Sequence, residues 1–311
     1  LRHAGVADRM EAEGKPHEGC YITDNDLMVR IDFKELTGRS VMVYGQTEVT
    51  ADLYAAQDAM GTTILHEVED VVSEGATSDA PSVVFTREGE RRRLTCSYVV
   101  GCDGFHGVSR KTIPDGVRKE CERVYPFGWL GILSRTRPAH EELIYANSSS
   151  GFALASMRNA KLSRYYVQVP LSDRVEDWSD DRFWDRLTSC LPKDVVAVMD
   201  TGPSIEKSIA PLRSFVSEPL RWGRLFLVGL ALHFVPPTGA KGLNLAVSDV
   251  HYLHQALIDV IKTGDETGID GYSDRALVRI WNAIRFSWQM TKMLHRFEGE
   301  DAFATQMRKS A

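Results

Sequence analysis

The sequence predicts an α/β protein with an inserted antiparallel sheet domain. Two observations carry this: strand–loop–helix units occupy both ends of the 311-residue chain, and a block of alternating strands lies between them. The opening through Met10 has amphipathic spacing and predicts a helix, while RIDF (30–33) and SVMVYG (40–45) alternate as half-buried strands do. A helix is expected near Glu48 to Met60, closed by Gly61. TTILHEVEDVV, PSVVFTREGERRRLTCSYVVGCDG and VYPFGWLGILSRT supply strands, with a turn at Glu88-Gly89-Glu90. The triplet Arg91, Arg92 and Arg93 beside that turn reads as a solvated hairpin end. From Glu141 to Leu171, ELIYAN, GFALASM and SRYYVQVPL alternate between polar turns and form the antiparallel block. Residues 177–191 predict a helix with Ser179 as N-cap and acids in its first turn, ending before Pro192. RLFLVG (224–229) predicts a short buried parallel strand. The Pro/Gly-rich loop VPPTGAKGLN leads from it into a helix over 244–264, ended by Gly264, and 273–297 reads as a long aromatic helix.

At roughly 150 residues per domain, this length predicts about two domains and a sizeable core. A formal net charge of −6 argues against nucleic-acid binding, which draws on a concentrated positive excess. The 5 cysteines, Cys20, Cys96, Cys102, Cys121 and Cys190, form an odd set without CxxC, as expected of free thiols in a reducing, cytoplasmic setting. The longest apolar run, Leu225 to Val235, is interrupted by Gly229 and His233 and falls short of the roughly 20 residues that span a bilayer, so neither a membrane segment nor a signal peptide is expected. The chain opens on Leu1 inside what reads as a helix in progress, so a fragment of a longer protein is expected.

Three stretches offer chemistry. In YVVGCDGFHGVSR (98–110) a strand runs into two glycines flanking Asp103, which is either a contact for ribose or ribityl hydroxyls or the cap of a tight turn. In the second, 224–250, the glycine-rich loop feeds a helix whose first backbone amides, at Gly242, Leu243 and Asn244, face outward at its positive end, ready for anionic or electron-rich ligand atoms. The third is the set Ser156, Arg158, Arg164 and Tyr166 on consecutive strands, with Tyr145 on the strand before. Arg158 and Arg164 lie across one turn, within reach of a shared pocket, and a guanidinium clamps a carboxylate in bidentate fashion. His251 and His254 share a helix face, but no carboxylate or cysteine motif completes a metal set, and no metal is expected. No GxSxG elbow supports a serine triad, and Trp281, Phe286 and Trp288 read as core or subunit-interface packing.

GCDGFHGVSR, RVYPFGWLGIL, ELIYAN, SRYYVQVPL, VEDWSDDRFW, EKSIAPLRSF and VPPTGAKGLNLA, in this order, closely resemble the p-hydroxybenzoate hydroxylases, a family of flavin-dependent aromatic monooxygenases. The resemblance covers essentially the whole chain. It implies a split, three-layer Rossmann-like FAD-binding domain (1–15, 46–120 and 211–264), a substrate-binding sheet domain (16–45 and 121–210), and a helical segment (265–311) that supports a homodimer. It further implies that NADPH reduces FAD and that O₂ then forms a flavin C4a-hydroperoxide, which converts 4-hydroxybenzoate to 3,4-dihydroxybenzoate. By the same resemblance Arg158 pairs with the substrate carboxylate, Ser156 and Tyr166 add hydrogen bonds, Tyr145 polarises the phenol, and His17 relays its proton to solvent. Pro237 presents its carbonyl to the phenol oxygen, and Arg164 lies near flavin and substrate. Gln46, Asp103, Gly242, Leu243 and Asn244 match flavin-binding positions, and His106 and Arg213 match residues linked to NADPH.

Three departures stand against this pattern. No GxGxxG occurs, since the family's opening strand, glycine loop and helix would precede Leu1. Where the family reads G-D-A-A-H, this chain reads Gly229-Leu230-Ala231-Leu232-His233, so an apolar Leu230 replaces a carboxylate that accepts ribityl hydroxyls. The chain stops at Ala311, short of a family segment that supplies a second relay tyrosine. Two alternatives therefore accompany the oxygenase reading: a degenerate relative that binds an aromatic acid but not FAD productively, and a hydroxylase of a related phenolic acid.

Overall fold

The computed structural model describes residues 1–309. A 3₁₀ turn at Arg2–Ala4 precedes helix α1 (Asp8–Glu13); Gly5, at φ 69°, separates them, so the single opening helix expected through Met10 is broken. Strands β1 (Lys15–His17), β2 (Gly19–Asp24) and β3 (Leu27–Asp32) follow. Asp32 ends β3 because its carboxylate accepts the Glu35 N–H at 2.8 Å and caps α2 (Phe33–Thr37). Next come β4 (Val41–Val43) and α3 (Gln46–Ala59). Only the end of TTILHEVEDVV becomes a strand, β5 (Glu69–Glu74), because the chain turns at Glu67 with φ 56°.

The predicted hairpin forms from β6 (Ser82–Arg87) and β7 (Glu90–Thr95), turning through Glu88 and Gly89 at φ 55° and 76°. The triplet Arg91, Arg92 and Arg93 is exposed, with Arg93 paired to Glu74 at 2.7 Å and Arg92 to Glu90 at 3.2 Å. After β8 (Val99–Gly101) and α4 (Ser109–Thr112) come the long β9 (Lys119–Ser134), then β10 (Leu143–Ser148), β11 (Gly151–Asn159) and β12 (Leu162–Pro170). Helix α5 (Asp180–Thr188) starts where the Ser179 side chain accepts the Arg182 N–H at 3.1 Å, as its sequence predicts. The chain continues through α6 (Lys193–Val196), β13 (Ser204–Glu218), β14 (Arg221–Trp222), β15 (Leu225–Leu227), β16 (His233–Phe234), α7 (Gly242–Thr263), α8 (Thr267–Asp270), α9 (Tyr272–Leu294) and α10 (Ala302–Lys309).

The chain divides into two compact units: 1–64, 126–211 and the chain from Leu294 form one, and 65–125 with 212–293 form the other. The first holds a mixed sheet in the order β13-β9-β12-β11-β10-β2-β3, with β2 and β10 parallel and the β9-β12-β11-β10 block antiparallel. One face of that sheet, carrying Leu130, Ile132, Ala146, Ala153, Tyr165 and Val167, packs against Phe183, Trp184 and Leu187 of α5. The second unit pairs β15 parallel to β8, with β14 antiparallel at the edge, and buries Phe226, Leu227, Leu253, Tyr272 and Ile280. RLFLVG thus forms the buried parallel strand read from its composition, and the Tyr272 hydroxyl donates to the Leu227 carbonyl at 2.8 Å. Among the described residues no helix is long and apolar enough to cross a membrane, all cysteines are free thiols, and no side-chain cluster could hold a metal ion. Trp281 and Phe286 are exposed rather than in the core; Trp281 donates to Glu218 at 2.9 Å, and Lys241 lies 5.4 Å from the Phe286 ring.

Candidate active site

Strand side chains alternate between faces, so in the first unit the residues between those packed on α5 point to the opposite face. That face carries Tyr145 on β10, Ser156 on β11, and Arg164 and Tyr166 on β12. Register aligns them: Tyr145 lies across from Leu154, Leu154 across from Tyr166, and Ser156 directly across from Arg164. Gly131 of β9 faces Tyr166, and a Cβ there would lie 2.6 Å from the Tyr166 ring, so the ring occupies the space that a glycine leaves. One end of the face is covered by the chain after α9. Trp129 donates to His295 at 2.6 Å, His295 stacks on Phe152, and Gln168 and Arg296 exchange hydrogen bonds of 2.6 and 3.1 Å.

Arg164 donates to the Tyr166 hydroxyl at 3.2 Å and pairs with Glu206 of β13 at 2.9 Å. Burial works against its charge, and Tyr166 and Glu206 outweigh that, so the guanidinium is held more firmly protonated than usual. Arg158 stands apart. Met157 pairs with Ser163 and Asn159 with Leu162, so Arg158 occupies a β-bulge, and it is exposed. Arg164 is engaged by Glu206, which sequence reading missed because the contact joins distant strands.

Tyr145 is 6% exposed and its hydroxyl makes no hydrogen bond among the described residues; burial pushes its pKa far above the ordinary phenol range. Cys20 lies on the same face, its thiol pushed up by burial to about 11. His17, at the end of β1, is 4% exposed, and its Nε2 is buried without a hydrogen-bond partner. Burial pulls its pKa below the ordinary histidine range, against the opposing pull of Glu142. Gln46 opens α3 and is exposed.

In the second unit Asp103 is exposed and its Oδ2 accepts the Ser109 N–H at 2.8 Å, at the start of α4. A Cβ at Gly107 would lie 2.1 Å from the Asp103 carboxylate carbon, which explains the glycine. His106 is exposed, edge-on to Phe105, and Arg213 pairs with Glu122 at 3.0 Å while lying 4.8 Å from the Phe105 ring. Pro237 is exposed at the start of a 3₁₀ turn. Helix α7 begins at Gly242 without a side-chain cap, and Leu243 and Asn244 are exposed. A 22-residue helix ending this way presents free amides and a positive end, a donor set that fits an electron-rich ligand edge.

Leu230, 43% exposed, sits in the turn Gly229–Ala231 and offers no polar group. Beside it lies a pair that sequence reading missed. The Asp249 Oδ2 accepts the Gly229 N–H at 2.9 Å and lies 2.8 Å from His233 Nε2, with both side chains 1% exposed. A signal for it exists: Asp249 falls on the buried stripe Leu245, Leu253 and Ala256 of α7, where an acid requires partners. His251 and His254 are exposed, and His254 Nδ1 lies 3.0 Å from the Val250 and His251 carbonyls.

The FAD binding domain family matches residues 1–287. The chain belongs to that family and is, by class, a flavin-dependent aromatic hydroxylase. It is 51% identical over its whole length to the p-hydroxybenzoate hydroxylase of Acinetobacter baylyi, of which it covers 77%. Two solved structures share the fold. One is an aklavinone-11 hydroxylase with FAD and aklavinone (TM-score 0.78, 17% identity, 100% of this chain and 61% of that one). The other is a probable FAD-dependent monooxygenase of Pseudomonas aeruginosa (TM-score 0.79, 18% identity, 100% of this chain and 86% of that one).

Proposed function

We propose that the protein hydroxylates 4-hydroxybenzoate to 3,4-dihydroxybenzoate with FAD, NADPH and O₂. The observation that carries this reading is the sheet face that gathers an unpartnered, buried Tyr145 hydroxyl with Ser156, Arg164 and Tyr166, in a chain half identical to a hydroxylase of that acid. FAD reduced by NADPH supplies the activation of O₂. The Tyr145 hydroxyl takes the substrate phenol as its hydrogen-bond partner, and His17 receives the phenol proton, so that ring electron density rises at the carbon beside it. Ser156 and Tyr166 orient the acid, and Arg158, free of ion pairs in its bulge, clamps the carboxylate. Cover by His295 and Phe152 keeps water from that end of the face.

In the same reading Gln46, Asp103 and the α7 amides at Gly242, Leu243 and Asn244 serve the flavin, and His106 and Arg213 serve NADPH. Pro237 keeps its assigned carbonyl contact to the phenol oxygen, and a cytoplasmic homodimer belongs to the same reading. The test is NADPH oxidation by the FAD-loaded protein, with chromatographic detection of 3,4-dihydroxybenzoate. Oxidation without that product refutes the substrate assignment. Leu230 favours a second reading, an aromatic-acid binder without productive flavin, which predicts a colourless protein after FAD addition that still binds 4-hydroxybenzoate.

A further inference from the structure

The parallel register of β2 on β10 sets Leu143 beside Cys20, which brings Glu142, one residue earlier, beside Gly19. The Glu142 carboxylate is gripped by Arg30 through two bonds, Nε–Oε2 at 2.7 Å and Nη2–Oε1 at 2.8 Å. Arg30 also bonds Asp32. Gly19 permits this grip, since a Cβ there would lie 2.5 Å from the Ile31 carbonyl and 2.9 Å from Arg30 Nη2. A two-bond fork leaves the carboxylate one orientation, and its side chain is only 15% exposed. Two residues before Gly19 stands His17, buried, with its unpartnered Nε2.

We propose that Glu142 is a positioning residue for proton transfer at His17: fixed by Arg30 and set beside Gly19 by the register of β2 on β10, it holds a negative charge beside the strand that carries the imidazole and favours the imidazolium form. This inference rests on the relay reading of His17. The other charges acting on the ring are Glu141, which adds to the pull of Glu142, and His140, which opposes it. Lys15 and Glu18 on the same stretch of chain are exposed, and the pairing strand β4, Val41–Val43, carries no titratable group. Without such a charge, burial alone keeps the ring neutral and unable to hold a proton on its way out. With the charge in place, the ring can accept the proton transiently and pass it on.

The test is the titration of His17 in the full chain labelled with ¹⁵N-histidine, its signal among 9 histidines assigned by its loss in His17→Asn. Glu142→Gln should move the His17 midpoint to lower pH by about half a pH unit or more, and Glu142→Asp should restore part of the shift. A Glu142→Gln titration that superimposes on the parent overturns the proposal. If Glu142→Gln does not fold, Arg30→Gln reads the same coupling with opposite sign, since it leaves the carboxylate uncompensated. A shift to higher pH supports the proposal, and none, or a shift to lower pH, overturns it. The relay reading has its own assay: His17→Asn must alter the pH dependence of phenol ionisation in bound 4-hydroxybenzoate, followed by absorbance. The ring titration needs no substrate, so failure of the relay and failure of the coupling are told apart.

Discussion

In the proposed reading, Leu230→Asp restores a carboxylate at a position where the resemblance implies one that accepts flavin hydroxyls. The side chain is 43% exposed in a short turn, so its loss removes little buried surface and should change folding stability by about 0.5 kcal/mol or less. The turn itself is held by the Gly229 N–H on Asp249 at 2.9 Å, a contact the substitution leaves intact. A new acceptor for ribityl hydroxyls, in place of an apolar group that leaves them unpaired, contributes about 1–3 kcal/mol, or roughly 5- to 150-fold in affinity. Quenching of flavin fluorescence on titration with the protein measures the dissociation constant. Leu230→Asn, a neutral acceptor, should recover a smaller part of the gain. Unchanged or weaker FAD binding by Leu230→Asp, with thermal melting like the parent's, refutes the placement of flavin hydroxyls at this turn.

Arg158→Gln should weaken 4-hydroxybenzoate binding by roughly 10- to 150-fold, the worth of a hydrogen-bonded charge pair, with FAD affinity unchanged; difference spectra of the flavin on ligand titration measure both. Gly131→Ala drives a methyl into the Tyr166 ring at 2.6 Å and should cost about 1–3 kcal/mol by urea denaturation while displacing the Tyr166 hydroxyl from the substrate. The Lys207 ammonium, at 2.7 Å, and the Ser204 amide hold the Asp180 carboxyl down at about 2. A depressed carboxyl stabilises the fold above its unfolded-state value, so that contribution is present above pH of about 4 and is lost as the pH falls toward 2. Asp180→Asn should flatten acid unfolding over that window, as followed by circular dichroism.

What was legible in the sequence follows from local physics. Ser179 capped its helix, Gly264 closed α7 at φ 77°, and LFL between glycines became the buried strand, because caps, left-handed glycines and apolar runs act within a few residues. The sequence placed Tyr145, Ser156, Arg164 and Tyr166 on consecutive strands, and the register then set them on one face. The Arg158 bulge was not legible, since a skipped ladder pair leaves no mark in composition. Glu206 on Arg164, and Asp249 on His233, join positions far apart in the chain, and spacing says nothing about such meetings. At the opening, amphipathic spacing continued through Gly5, but the left-handed backbone there ended the helix.

Both compact units are stitched from separated stretches, and the first closes only when His295 and Arg296 settle on Trp129 and Gln168. During synthesis at about 5–20 residues per second, a ribosome must therefore deliver the chain through Arg296 before the first unit can finish folding. The aromatic sheet surface stays bare for most of that interval, so premature termination anywhere upstream of His295 should yield insoluble product rather than a working half.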